Sequence, residues 1–190
     1  VKPSDIPNLI TIFRFLLVPP VVWLLLNDRF AMALILFGVA GFSDALDGYL
    51  AKRNNWGSRL GELMDPLADK LLLVSCFVTL GWLGMIPLWL VVLVVLRDLV
   101  IVGGAIVFHM RVERLEAAPS IVSKLNTFAQ ILLVLAVIFS EGVHALPAPW
   151  PDILIVTVLV TTLWSGLDYV WTWGRRAWFK RGETKQDGRV

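Results

Sequence analysis

The chain has 190 residues, of which 57% are hydrophobic and 17% charged, and its mean hydropathy is +0.75. Soluble domains sit nearer ~45–50% apolar and ~25% charged, so these figures exclude an ordinary soluble fold, a disordered chain, a coiled coil and a collagen-like repeat. A formal charge of +2 gives no basic face for nucleic acid. The lone cysteine, Cys76, excludes an intrachain disulfide.

Residues 1–8 lack the charged start and small-residue cleavage site of a signal peptide and read as an interfacial lead-in. Six apolar runs follow: Leu9 to Leu26, Phe30 to Leu50, Leu60 to Leu80, Met85 to Phe108, Ile121 to Phe139 and Ile153 to Trp173. At ~20 residues per crossing they consume most of the chain, which leaves only short connections. The expected architecture is an all-α integral membrane protein, with a six-helix transmembrane domain over 9–174 and a basic tail over 175–190.

An even number of crossings puts both termini on one side, and the lysines and arginines say which. Twelve fall in the lead-in, the second and fourth connections and the tail; only Arg29 falls opposite, and Arg14, Lys70, Arg97 and Lys124 lie in or at the ends of spans. The positive-inside rule then makes both termini cytoplasmic. Tryptophans such as Trp82, Trp89 and Trp150 near span ends suit interfacial anchoring. Glu141 to Pro151, rich in proline, reads as an external loop.

Four carboxylates interrupt otherwise good spans. Asp44 and Asp47 stand at i, i+3 in the second, followed on the same face by Gly48 and Ala51; Asp65 and Asp69 stand at i, i+4 in the third, one turn beyond Gly61. An aspartate at a span centre costs ~2.5–3.5 kcal/mol, so four of them need a hydrated cavity, counter-ions, or both. Lys52, Arg53, Arg59 and Lys70 are the local cations that ion pairing would use. Convergent oxygens without His or Cys suit Mg2+ or Mn2+, with Ca2+ as a substitute, and such ions take phosphate oxygens from substrate. Pro66 frees the Glu62 carbonyl and predicts a local bend beside the acidic pair.

Read as one string, Asp44-x2-Asp47-Gly48-x2-Ala51-Lys52-x8-Gly61-x3-Asp65-x3-Asp69 resembles the signature of the CDP-alcohol phosphotransferases. Seven of its eight fixed positions match in register; Lys52 stands where the family has Arg, with Arg53 next to it. The resemblance implies six transmembrane helices, a homodimer and a two-metal site at the cytoplasmic boundary. It implies transfer of a phosphatidyl group from CDP-diacylglycerol to an alcohol with release of CMP, in a bacterial inner membrane. Carried over residue by residue, Asp44, Asp47, Asp65 and Asp69 hold the metals, and Asp69 is also the general base. Gly48, Ala51 and Gly61 leave room for the nucleotide, and Lys52 meets its phosphates.

Asn8, Thr11 and Arg14, spaced by three, resemble the donor-lining run of the phosphatidylglycerophosphate and cardiolipin synthase branches; a helix cap and a snorkelling arginine would give the same letters. Arg97-Asp98 and Ser123-Lys124-Leu-Asn126-Thr127 resemble the cardiolipin branch more closely. Arg97, Lys124 and Arg53 are the candidates for an acceptor phosphate, with phosphatidylglycerol ahead of glycerol 3-phosphate and inositol phosphate third. Two readings from other classes remain at this point: a divalent-cation transporter and a non-catalytic assembly factor. His109 and His144 lie away from the signature and read as surface residues.

Overall fold

The computed structural model describes the backbone of residues 6–54, 59–112 and 121–186, and the side chains of 12–43, 68, 70–101, 103 and 121–169. Among the described residues there is no strand. Six helices follow in order: α1 (Ile6–Leu26), α2 (Phe30–Asn54), α3 (Arg59–Trp82), α4 (Leu88–Val112), α5 (Ile121–Gly142) and α6 (Trp150–Gln186). Each expected span has its helix. Two of them, Ile121–Gly142 and Trp150–Tyr169, are long and apolar enough to cross a membrane over their described residues, and Ile12–Leu26, Phe30–Ser43 and Lys70–Trp82 are shorter apolar helices.

Local chemistry explains the helix ends. α1 and α3 both close in the same capping motif: Arg29 N–H reaches the Leu24 carbonyl at 2.9 Å and Asp28 that of Leu25, while Met85 N–H reaches Leu80 at 3.0 Å and Gly84 that of Gly81. The residue at each turn takes positive φ, 77° at Gly84 and 57° at Asp28, which glycine accepts freely and aspartate tolerates. This cap, with Pro87 following, explains why the fourth helix starts at Leu88 and not at Met85. The Pro87 carbonyl receives the Leu90 and Val91 N–H groups, so it opens α4. At the other end of the chain, α6 continues to Gln186, so most of the expected tail is a helical extension. α1 runs unbroken through Pro19 and Pro20, which packed neighbours permit in a membrane helix.

Contacts between helices show an alternating bundle. The Gly142 backbone at the end of α5 abuts Phe30 and Ala31 at the start of α2, and a small crevice joins Met85, Ser140, Glu141 and Pro151. The turns 27–29, 83–87 and 143–149 therefore gather at one end. α1 packs chiefly on α2 and α3, and α5 on α6 and α2.

The outer surface is unlike that of a soluble protein. Leu16, Phe42, Leu99, Phe128, Trp164 and Leu167 are exposed on the outer surface, while Arg14, Arg97, Asp98, Asn126, Gln130, Thr162 and Ser165 are buried. Large apolar patches on all sides with polar groups within are what lipid as solvent demands. The apolar core, including Val21, Leu25, Phe77, Leu80, Leu90, Leu133 and Ile138, fills the half of the bundle nearest the three turns.

Candidate active site

The signature occupies the last turns of α2 and the first turns of α3. Asp44, Asp47, Gly48, Ala51, Lys52 and Arg53 fall on helical backbone that extends to Asn54, and Gly61, Asp65 and Asp69 on helical backbone that begins at Arg59. Regular helix through both stretches puts Asp44 with Asp47, and Asp65 with Asp69, on shared faces. The side chains of all nine, and those of Asn8 and Thr11 on α1, lie outside the described residues, as does His109. The expected metal ligands are thus placed by their helices alone. α3 is helical through Pro66.

Arg14 is described, and it corrects one alternative. It is 1% exposed and sits on the stripe of α1 that continues through Leu17, Val18, Val21 and Leu25, all buried. Because α1 packs on α2 and α3, this guanidinium is held inside the bundle beside the two signature helices and does not snorkel to the surface.

Immediately after Asp69, Lys70 opens a polar cluster that draws on four helices. Its Nζ lies 2.7 Å from Asp98 Oδ1 on α4, and the same oxygen receives Arg97 Nη1 at 2.7 Å. Arg97 Nη2 donates to Ser123 Oγ on α5 at 2.8 Å and to Ser165 Oγ on α6. Arg97 and Asp98 are each 6% exposed. Two cations share one carboxylate, so the described cluster carries one net positive charge. Lys70, weighed from sequence as a counter-ion for the signature aspartates, has Asp98 as a partner. Lys124, expected beside Arg97, is exposed on the outside of α5 and does not join it.

A second polar group adjoins the first. Asn126 Oδ1 accepts from Thr162 Oγ1 at 2.9 Å and Thr161 Oγ1 at 3.0 Å, and Tyr169 on α6 donates to the Ile101 carbonyl of α4 at 3.2 Å. Sequence reasoning missed Asp98 as the shared anchor, and it missed Ser165, Thr161, Thr162 and Gln130. The available signal was spacing: Ser123, Asn126 and Gln130 fall at i, i+3 and i+7 on one helical face, an arrangement lipid would penalise unless that face were turned inward. His144, in the 143–149 turn, is exposed as expected.

Residues 4–164 match the family described as CDP-alcohol phosphatidyltransferase. A CMP-forming cardiolipin synthase of Rattus norvegicus is 31% identical over 92% of this chain and 63% of its own length. One from Streptomyces coelicolor is 41% identical over 52% of this chain and 50% of its own. A CDP-diacylglycerol–glycerol-3-phosphate 3-phosphatidyltransferase of Bacillus subtilis is 29% identical over 87% of this chain and 93% of its own. The chain spans less than two thirds of the length of several curated relatives, the rat protein among them. A match over most of the sequence, on the two helices that carry four aspartates in register, means that the chain belongs to the CDP-alcohol phosphatidyltransferase family.

Proposed function

We infer that this protein transfers a phosphatidyl group from CDP-diacylglycerol to the hydroxyl of phosphatidylglycerol, giving cardiolipin and CMP. The observation that carries the acceptor choice is the charge of the cluster that begins with Lys70, the residue after Asp69: Lys70 and Arg97 against Asp98 leave one positive charge. A phosphodiester carries one negative charge, whereas the phosphomonoester of glycerol 3-phosphate carries nearly two. The Bacillus subtilis relative supports glycerol 3-phosphate as the second reading. Arg97 is the acceptor-side cation in this scheme, Lys124 is exposed on the outside of α5, and Arg53 is a further candidate.

Asp44, Asp47, Asp65 and Asp69 form an all-carboxylate donor set, which fits two Mg2+ or Mn2+ ions. When bound, such ions neutralise charge on the diphosphate and on the departing CMP. The Asp69 carboxylate takes the proton of the acceptor hydroxyl, whose oxygen bonds to the phosphatidyl phosphorus as the bond from that phosphorus to the CMP oxygen breaks. Gly48, Ala51 and Gly61 make space for the nucleotide, Lys52 meets its phosphates, and Asn8, Thr11 and Arg14 line the donor side. In this reading the site faces the cytoplasm of a bacterial inner membrane, with both termini on that side and two copies forming a dimer.

Purified protein given CDP-diacylglycerol, Mg2+ or Mn2+ and each acceptor in turn should release CMP fastest with phosphatidylglycerol, and chelation should stop it. Faster release with glycerol 3-phosphate reverses the acceptor choice. A folded preparation that releases no CMP with any acceptor, yet carries divalent cations into proteoliposomes, would restore the transporter reading.

A further inference from the structure

Two buried amides on α5 have hydrogen-bonding capacity that the fold does not use. Asn126 is 0% and Gln130 1% exposed, and neither Asn126 Nδ2 nor Gln130 Nε2 has a partner among the described residues. Thr162 Oγ1 donates to Asn126 Oδ1 at 2.9 Å, the one acceptor it meets among the described residues. Oδ1 thus faces α6, and Nδ2 faces away from the Thr161 and Thr162 hydroxyls. One turn on, at i+4, Gln130 lies on the same stripe.

An unpaired buried amide is destabilising, and hydrocarbon offers no water to relieve it. A third unused donor, Arg97 Nε, belongs to the cluster that holds Ser123, at the head of the same stripe. These donors ask for a ligand rich in acceptor oxygens along its length. Asn126 lies about 4.5 Å and Gln130 about 10 Å deeper along α5 than Ser123. In a glycerophospholipid the ester carbonyl oxygens are six bonds (sn-2) and seven bonds (sn-1) from the phosphorus, an extended reach of roughly 7–9 Å, which falls between those two levels.

We propose that Asn126 Nδ2 and Gln130 Nε2 form a subsite for the fatty-ester carbonyl oxygens of a diacylglycerol-bearing substrate whose phosphate lies at the Arg97–Ser123 level. The subsite rests on the phosphatidyl-transfer reading given above. Both lipids in that reaction carry such esters, so the acceptor phosphatidylglycerol and the donor CDP-diacylglycerol share the required chemistry. The two amides are specificity residues: they bind the lipid backbone and do not touch the reacting phosphorus.

Ether-linked lipids keep the shape and lose the carbonyl, so the test needs no mutation. Wild-type protein is assayed in micelles with four pairings, each substrate supplied in its diester or diether form. The expected result is a KM higher by about three- to ten-fold for the diether form of one substrate, with kcat within about two-fold, as loss of one or two neutral hydrogen bonds implies. A rise confined to phosphatidylglycerol assigns the subsite to the acceptor, and one confined to CDP-diacylglycerol assigns it to the donor. Gln130→Leu and Asn126→Leu should show the raised KM with diester substrate and no further penalty with diether. CMP release that is indifferent to the ester in both substrates, or variants equally impaired with both forms, overturns the subsite and leaves phosphatidyl transfer standing. No CMP release from folded wild-type protein overturns both.

Discussion

The buried stripe of α5 changes chemistry halfway along its length. From its start it presents Ser123, Asn126 and Gln130; beyond them come Leu133, Val134, Val137 and Ile138, all buried. The apolar half rests on shape alone: lipid tails are as apolar as leucine, so close packing holds that end together and no aversion to water helps it. The polar half must bond internally, and most of it does, through Arg97, Ser165, Thr161 and Thr162. What is left over, Asp98 Oδ2 and three N–H donors, marks where a bundle optimised for stability alone would have used hydrocarbon.

If the polar half is the working half, the largest effects of substitution belong there. Asp69→Asn keeps size and polarity but cannot take a proton, and should lower CMP release by about 10²–10⁴-fold while CDP-diacylglycerol binding is retained. Asp47→Asn should weaken metal and donor binding together. Equal loss of donor affinity in both variants would contradict this division of roles. Next in size is Asp98→Asn, which leaves Lys70 and Arg97 facing each other with a neutral amide. Breaking such a buried pair costs about 3–5 kcal/mol, and the partial exposure of Lys70 argues for the lower figure. A thermal unfolding midpoint well below wild type, partly restored by adding Lys70→Met, would show that the trio ties α3 to α4. An unchanged midpoint would dissolve the tie.

Much of this division can be read from the residues. The six helices follow from uninterrupted apolar runs, and the working end follows from Asp44, Asp47, Asp65 and Asp69, which lipid would not tolerate without purpose. The missing part was pairing. Lys70 is adjacent in sequence to Asp69, yet it reaches Asp98, 28 residues away, because α3 and α4 run antiparallel and bring those levels together. Lys124 follows Ser123, yet one step around a helix turns it 100° outward. Neither lysine's described surroundings follow from its sequence neighbours, for the same physical reason: in a bundle, neighbours are set by depth and face. The start of α4 at Leu88 is hidden in the sequence because the Gly84 cap and Pro87 are themselves in apolar surroundings, where composition carries no boundary.

The scaffold half should respond in stability and leave chemistry alone. A Cβ at Gly142 would stand 2.5 Å from the Ala31 nitrogen and 2.8 Å from the Phe30 carbonyl carbon, and backbone cannot move aside as a side-chain tip can. Gly142→Ala should therefore push α5 off the start of α2 and destabilise by about 1–3 kcal/mol. CMP release per folded molecule, measured below the lowered unfolding midpoint, should match wild type. A specific-activity loss as large as that of Asp98→Asn would mean the two halves are coupled.

The smallest expected effect tests the one departure from the family signature. Lys52 offers a point charge where the family's Arg offers a planar fork, and the fork fits a phosphate through two parallel hydrogen bonds. Arg53 is adjacent in sequence, but its backbone position lies 100° around α2 and about 1.5 Å further along it. Lys52→Arg should then lower the KM for CDP-diacylglycerol by about two- to five-fold, the worth of part of one charge-assisted hydrogen bond, with kcat nearly unchanged because the contact exists before and during transfer alike. No change in KM would mean that a point charge already suffices at this position. A fall in kcat would place Lys52 nearer the leaving phosphate than its helix position suggests, and would move it from the binding half of the reaction to the reacting half.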